Sequence, residues 1–350
     1  RDCLLSRGLG DVYKRQRFGF FPAFSLGWRI SNESFMENTK EWLNNLKLRA
    51  SYGQVGNDVY TVGGVAQRFL YEEKWSQISN DYMFGTSGKS GIYETQYPNY
   101  GVTWERAHKY NVGLEFGLWN GLLNGNIDLF HEKRNDILTN YLTRPEWVGV
   151  TMAAGNLGET VNSGFEIELK HNNHIGKEFQ YNVGLTFSHA KNEIKNMDEP
   201  ALKTDYRKRE GHPIGQYYGL VCDGFVTAAD VADPNFPTST FGNVQVGDLK
   251  YRDMNNDGFI DERDETFIGY SDVPENTYAL TLGCNYKGIG FSVMFQGVDH
   301  VSRYYDAEAM YAFVSGGKVK EHHLDRWNPT KSESENLASA KYPLLHYDSY

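Results

Sequence analysis

The stretch that most restricts the fold is His108 to Thr139. Tyr110, Val112, Leu114, Phe116 and Leu118 alternate there with Lys109, Asn111, Gly113, Glu115 and Gly117. Successive side chains of a strand point to opposite sides, so one face is apolar and the other polar or bare. A helix would scatter the same residues around its axis. Trp119-Asn120-Gly121 reads as a tight turn, and Ile127 and Leu129 then alternate with Asn124, Asn126 and Asp128. The result is a long antiparallel hairpin with one dry and one wet face.

The same period recurs along the chain. Arg17–Ile30 alternates loosely, and Leu46, Leu48, Ala50 and Tyr52 alternate with Lys47, Arg49 and Ser51. Further strands are expected at Phe165–Lys170, Tyr181–Ser188, Tyr278–Asn285 and Phe291–Gln296, with one short helix at Phe35–Trp42 opened by Ser34. The turns at Trp119–Gly121, Asn172–Lys177 and Lys287–Gly288 are short. The connections Gly53–Val102, Asn140–Asn162 and Lys191–Glu275 are long. In an up-and-down meander alternate turns lie at opposite ends, so all the short ones fall on one side. Outer-membrane barrels are built with that asymmetry.

Alternation alone also fits a soluble β-sandwich. Three features favour the membrane. The strands are long enough to match the roughly 9–11 residues that cross a bilayer at a tilt. Trp104, Tyr110 and Trp119 bracket an apolar band as interfacial girdles do. The polar faces carry Asn, Gly, Ser, Thr and Glu rather than a Lys/Glu solvent coat. A mean hydropathy of −0.59 and the lack of a run of about 18 apolar residues exclude a spanning helix but not a barrel. Aromatics at 15% and 36 glycines suit strands with aromatic ends and close backbone approaches. The fold class expected is therefore all-β: an antiparallel up-and-down transmembrane β-barrel, partial, with about eight strands of a larger one.

A net charge of −10 without a basic face argues against nucleic acid as a partner. Cys3, Cys222 and Cys284 are unpaired by spacing and leave the redox compartment open. Arg1–Gln16 has no strand period and joins nothing downstream. It reads as a scar of cloning or sequence assembly, with an ordinary loop segment as the alternative. The barrel segment is expected over 17–298, with 191–275 as its long extracellular loop. Residues 299–350 read as a further extracellular loop ahead of final strands.

Several blocks resemble a known family. They are Phe21-Pro22-Ala23-Phe24-Ser25-Leu26-Gly27-Trp28-Arg29-Ile30, Leu46-Lys47-Leu48-Arg49-Ala50-Ser51-Tyr52-Gly53-Gln54-Val55-Gly56-Asn57, and Trp104-Glu105 leading into Asn111-Val112-Gly113-Leu114-Glu115. Asn156-Leu157-Gly158, Asn162-Ser163-Gly164-Phe165-Glu166, Glu210-Gly211-His212-Pro213-Ile214-Gly215, Gly247-Asp248, Tyr286-Lys287-Gly288, Phe295-Gln296-Gly297 and Asp325-Arg326-Trp327 continue the run. Together they resemble the SusC/RagA-type TonB-dependent outer-membrane transporters over Arg17 to about Pro329. The resemblance implies a barrel of about 22 strands plugged by an N-terminal domain. It also implies energy supplied through the TonB complex, a SusD-like surface lipoprotein as lid, and import of an oligosaccharide or peptide ligand. The location implied is the outer membrane of a Gram-negative, Bacteroidetes-like cell, with outer-membrane lipid around the strands. The plug, the TonB-contacting segment and the outlying strands of that family have no counterpart in these 350 residues.

The sharpest local motif runs from Asp253 to Asp264. Asp253, Asn255, Asp257, Asp261 and Asp264 place oxygens at positions one, three, five, nine and twelve, with Gly258 at six and the Phe259 carbonyl at seven. That is the spacing of a calcium loop, whose cation needs six to eight converging oxygens. Asp264 departs from it, standing where helix–loop–helix sites use Glu. The reading is a structural Ca2+ site, and the alternative is an Asx-rich turn without an ion.

Loop aromatics form the second candidate set: Trp75, Trp147, Tyr304 and Tyr305, with Tyr71 and Tyr82 beside them. Flat rings stack on sugar faces, although such loops also pack on themselves or on a lid. His322-His323 reads as a solvated pair, and His131–Arg134 as a strand end rising into water. No phosphate loop, nucleophile elbow or Cys/His metal spacing is present, so no enzymatic activity is expected. The rival reading is a calcium-stabilised β-rich surface adhesin or glycan-binding module that transports nothing.

Overall fold

The computed structural model describes residues 19–85, 87–143, 146–200, 204–305, 310, 312–314 and 318–344. Arg1–Gln16 lies outside the described residues. Eight strands form one antiparallel sheet in chain order: β1 Ala23–Arg29, β2 Leu43–Asn57, β3 Glu105–Leu118, β4 Leu123–Thr139, β5 Gly155–Ile175, β6 Phe179–Asn196, β7 Asn276–Tyr286 and β8 Ile289–Asp299. Every neighbour in the sheet is the neighbour in sequence, which is the meander expected.

Register explains why the pattern is periodic. Leu48, Leu114, Ile127, Ile167, Phe187 and Tyr278 stand opposite one another across six strands. One residue along, Lys47, Glu115, Asn126, Glu168 and Thr186 form the matching polar row. A slip of one residue would exchange the two rows completely. Burial on the two faces is inverted relative to a soluble protein. Leu26 is 76% exposed and Leu129 55%, whereas Asp128 and Glu105 are each 7% exposed. Apolar outside and charged inside is the solution for a sheet whose outer solvent is hydrocarbon.

Several strands run further than alternation shows. The expected loop at Asn140–Asn162 is strand from Gly155 onward, and the loop expected from Lys191 begins only after Asn196. Asn156, Gly158, Asn162 and Gly164 have loop-like composition, which hides the strand. Gly164 has a packing reason: a Cβ there would run into the His189 carbonyl and the Phe130 ring. Register shifts at Asn156–Thr160 mark bulges, with Asp136 at φ +57 on the opposing strand.

The expected loop at Gly53–Val102 also holds structure. Tyr60–Val62 pairs with Val65–Gln67, and Lys74–Phe84 pairs with Ser87–Tyr97. Both faces of the longer hairpin mix apolar and polar residues, Trp75 with Gln77 on one and Ile78 with Ser76 on the other, so period two leaves little contrast to read. Leu70, Val102, Leu138, Ala153 and Ala154 form a small core beside these hairpins, with Tyr60 and Tyr71 packed on it. The helix expected at Phe35–Trp42 is a 3-10 segment, Ser34–Thr39, capped at Glu33 without a side-chain bond from Ser34.

Chain contacts divide the protein in two. The second unit takes 204–207, 215–273 and 301–350. Its pairings are short: Gln216–Gly219 with Thr266–Ser271, Cys222–Phe225 with Leu249–Tyr251, and Thr238–Ser239 with Phe259–Ile260. Val226, Ile260 and Trp327 are its buried apolar anchors. The Trp327 ring lies against Phe225 at 5.4 Å and over the bare Gly247, where a Cβ would meet it at 2.5 Å. His323 is buried here at 3%, which corrects the solvated reading of His322-His323. The two rings stand edge to face at 4.3 Å, and His323 Nδ1 accepts from the Lys320 amide. Cys222 and Cys284 are both free thiols.

The face assignment gives a direct prediction. Leu129→Arg puts a charge where hydrocarbon is expected, at a cost of roughly 2–4 kcal/mol near mid-membrane. Glu166→Arg changes the wet face at an exposed position. In the intact protein, Leu129→Arg should abolish heat-modifiable migration and membrane insertion, and Glu166→Arg should keep both. Equal behaviour of the two variants would contradict the assignment.

Candidate functional site

The wet face carries a charge lattice centred on Arg49 of β2. Arg49 Nη2 donates to Asp128 Oδ2 at 2.6 Å, and its Nη1 donates to Asn111 Oδ1 at 3.2 Å. Arg49 Nε lies 3.3 Å from Glu115 Oε1, which also accepts from Lys47 Nζ at 3.1 Å. Asn126 Nδ2 closes the group on Asp128 Oδ2 at 2.9 Å. Gly113 creates the space, since a Cβ there would meet Arg49 Nε at 2.6 Å and Asp128 Oδ1 at 2.8 Å.

Asn111, Glu115, Asn126 and Asp128, which alternation puts on the polar face, therefore meet. Glu166 stays exposed, and Glu168 pairs with Lys170 at 2.5 Å. Sequence reading missed Lys47 and Arg49 as members of the lattice. Their signal was present, because two cations sit at alternate positions of one strand opposite a strand carrying Glu115.

A second lattice lies toward the ends of the strands that carry long loops. Arg134 bridges Glu105 at 2.7 Å and Glu132 at 2.8 Å, and Lys109 reaches Glu132 at 3.0 Å. Asn57 Nδ2 donates to Glu105 Oε2 at 3.2 Å. Partly buried ion pairs of this kind, with Arg134 39% and Lys109 51% exposed, contribute little net stability, because desolvation and solvent screening offset the attraction. What they provide is a hydrated, charged wall with fixed geometry.

The acidic loop of the second unit is ordered by its own oxygens. Asp253 Oδ2 accepts from the Gly258 amide at 2.8 Å, Asn255 Oδ1 from the Asp257 amide at 2.9 Å, and Asp257 Oδ1 from the Phe259 amide at 3.0 Å. Asn256 at φ +57 and Gly258 at φ +82 supply the left-handed turns. Asp264, fully buried, accepts from the amides of Met254 and Asp261, each at 2.9 Å. Arg263 Nη2 lies 2.7 Å from both Asp257 and Asp261. That guanidinium holds the Asp261 carboxyl below its usual range, aided by the Arg263 amide.

The oxygens of this loop serve its own N–H groups and an internal cation. Among the described residues, no three His, Cys, Asp or Glu side chains converge as metal ligands. An ion entering this loop has Arg263 to displace.

The loop aromatics are dispersed. Trp75 and Trp147 belong to the first unit, 57% and 86% exposed. Tyr304 and Tyr305 belong to the second, 67% and 68% exposed, and Tyr304 stacks toward Tyr217 at 6.1 Å. Tyr71 packs edge-on to Phe69 at 6.4 Å. The side chain of Tyr82 lies outside the described residues.

The family described as TonB dependent receptor-like, beta-barrel matches residues 5–327. The chain belongs to this family. TonB-dependent receptor P26 of Formosa agariphila is 26% identical over 336 residues, covering 91% of this chain and 32% of that protein. TonB-dependent receptor SusC of Bacteroides thetaiotaomicron is 27% identical over 323 residues, covering 88% of this chain and 30% of that protein. The chain therefore spans about a third of the length of the curated relatives it matches.

Among solved structures, the RagAB peptide transporter superposes with a TM-score of 0.63 at 19% identity, over 95% of this chain and 35% of that one. The RagAB peptide importer in its closed-closed state gives 0.59 at 20% identity, over 83% and 30%. This likeness concerns the fold. The TonB-dependent receptor assignment closes the eight-stranded sheet into part of an outer-membrane barrel of SusC/RagA type. It places the protein in the outer membrane, and the 30–42, 119–122, 176–178 and 287–288 connections share one end of the meander.

Outside the strands, one carboxylate reports on loop integrity. Asp230 closes a capping box on Thr227 at the start of the helix Ala228–Ala232 and accepts from Lys250 Nζ at 2.5 Å. The Lys250 hydrogen bond, then those from Thr227, lower its pKa from 3.8 to about 2. A depressed carboxylate stabilises above its unfolded pKa and loses that contribution as pH falls through the folded one. Thermal melts of the intact receptor should therefore show the second unit weakening between about pH 4 and pH 2. Asp230→Asn should be less stable at pH 6 and flatter across that window. An unchanged slope would remove Asp230 from this role.

Proposed function

We propose that the full-length protein actively imports oligosaccharides or peptides across the outer membrane, energised through the TonB complex and working with a SusD-like surface lipoprotein. The observation that supports this best is the charge lattice of Arg49, Asp128, Glu115 and Lys47 on the inner face of a TonB-dependent receptor barrel. A fixed, hydrated, charged wall suits a lumen that polar cargo must cross. The RagAB peptide transporter is a precedent for a peptide cargo. The adhesin reading finds no comparable support, since the family match extends over the strands and the second unit alike.

Trp75 and Trp147 on the first unit, and Tyr304 and Tyr305 on the second, are offered as ligand-contacting rings. Uptake of labelled oligosaccharide or peptide by cells carrying the intact receptor should require TonB and the lipoprotein. Replacing a contacting ring by Ala should lower uptake about 2- to 10-fold, the range expected for one lost aromatic contact. TonB-independent uptake would overturn the import mechanism, and an unchanged Ala series would remove the four rings from the site.

Calcium at Asp253, Asn255, Asp257, Phe259, Asp261 and Asp264 belongs to the same proposal, as a structural ion. Since Arg263 occupies the cationic position, Arg263→Gln should bind calcium more tightly than the wild type. Protease protection of residues 250–263 in the intact receptor should rise with calcium, and more so in Arg263→Gln. Identical digestion with calcium and with chelator in both proteins would count against the ion.

A further inference from the structure

The second unit contains a cavity that none of the foregoing uses. It measures about 370 Å³ and is walled by Phe236, Phe241, Leu249, Tyr251, Ile260 and Leu344, among others. Ligand pockets run from roughly 300 to 1,000 Å³, so this one suits a bulky side chain or two rather than a whole polymer segment. Ile260 forms its floor at 4% exposure, and Phe241 stands at the rim at 58%.

Charge at this cavity is one-sided. Asp248 is the one carboxylate among its described lining residues, and no Lys or Arg is among them. Asp248 Oδ2 accepts from the Gln245 amide at 2.8 Å, which fixes the carboxylate. Strand alternation directs Leu249 and Tyr251 to the cavity, while Lys250 pairs with Asp230 and its Nζ stands 5.7 Å from the centroid of the Phe236 ring in the cavity wall. The segment 215–273 holds eleven Asp and Glu against three Lys and Arg. Those three cations are engaged internally: Lys250 with Asp230, Arg252 with Asp223, and Arg263 with Asp257 and Asp261. The segment that supplies most of the lining therefore has an excess of eight acidic groups, and Asp248 brings one of them to the cavity wall, which favours a cationic ligand.

We propose that this cavity is a capture site for cationic peptides, taking one aromatic or aliphatic side chain between Phe236, Phe241 and Tyr251 while a neighbouring Lys or Arg of the peptide meets Asp248. The inference rests on the import reading and narrows its cargo to basic peptides. A neutral oligosaccharide gains nothing from the carboxylate, and an acidic one is repelled by it. Burying an apolar side chain in the cavity supplies affinity, and the acidic surround supplies steering and selectivity.

The test titrates the intact receptor in detergent with fluorescently labelled pentapeptides of three kinds: Lys-Lys-Phe-Lys-Lys, Lys-Lys-Ser-Lys-Lys and Glu-Glu-Phe-Glu-Glu. The first should bind about tenfold or more tighter than either of the others. Phe241→Ala, at an exposed position that spares folding, should weaken the first about fivefold while leaving the Ser peptide unchanged. Asp248→Asn, which keeps the oxygen facing the Gln245 amide, should reduce the Lys preference. Equal affinity for all three peptides, or no effect of Phe241→Ala, overturns the inference. So does loss of the SusD-like lipoprotein from the purified complex in Phe241→Ala with peptide affinity intact, since the cavity would then seat the lid. Uptake of the same peptides by cells separates the two levels. Import that persists with Phe241→Ala binding unchanged sinks the cavity alone. Cavity-dependent binding without TonB-dependent uptake sinks the import reading and leaves the capture site standing.

Discussion

Hydrocarbon offers no hydrogen bonds, and every other feature of the barrel follows from that. A backbone amide placed there must find its partner within the protein, which leaves only helices and closed sheets. Here β2 through β6 pair along almost their whole length, so the amide ladder is satisfied from strand to strand. Once the ladder is fixed, side chains must divide strictly between two solvents. Leu48, Leu114, Ile127 and Ile167 share one row, and the adjacent row carries Lys47, Glu115, Asn126 and Glu168. The stability of the sheet comes from pairing, and its function comes from the wet row.

The wet row accommodates its charges by compensation. Arg49, Lys47, Glu115 and Asp128 neutralise one another within hydrogen-bonding distance, and Gly113 leaves the volume that the guanidinium fills. Arg134 does the same for Glu105 and Glu132 nearer the long loops. The acidic excess of the protein is concentrated elsewhere, in segment 215–273, where Asp and Glu outnumber Lys and Arg eleven to three. In the second unit the same economy of charge recurs at small scale: Arg263 holds Asp257 and Asp261 as an ion would.

The eight sheet strands were legible because each has an unbroken stretch in which polarity changes at every residue. Their ends were not. In β5, Asn156, Gly158 and Gly164 lower the polarity contrast, and bulges break the phase between Asn156 and Thr160. The hairpin of Lys74–Phe84 with Ser87–Tyr97 mixes apolar and polar residues on both faces and carries no clean periodic signal. Of the wet-face residues, Asn111, Glu115, Asn126 and Asp128 were legible singly. Their meeting at Arg49 depends on the register of three strands. The loop Asp253–Asp264 was readable as a spacing of oxygens, but Arg263 between two of them was not.

Sequence by itself determined the period, the asymmetry of short and long connections, and the family, because each is a property of consecutive residues under one solvent constraint. Tertiary structure decided which charges neutralise which, where the strands end, and that residues 204–207, 215–273 and 301–350 build one unit with its own buried anchors. Those outcomes depend on pairs far apart in the chain, such as Arg49 with Asp128 and Gly247 with Trp327. A hydrogen bond or a packed ring is fixed by distance in space, and local pattern carries no record of it.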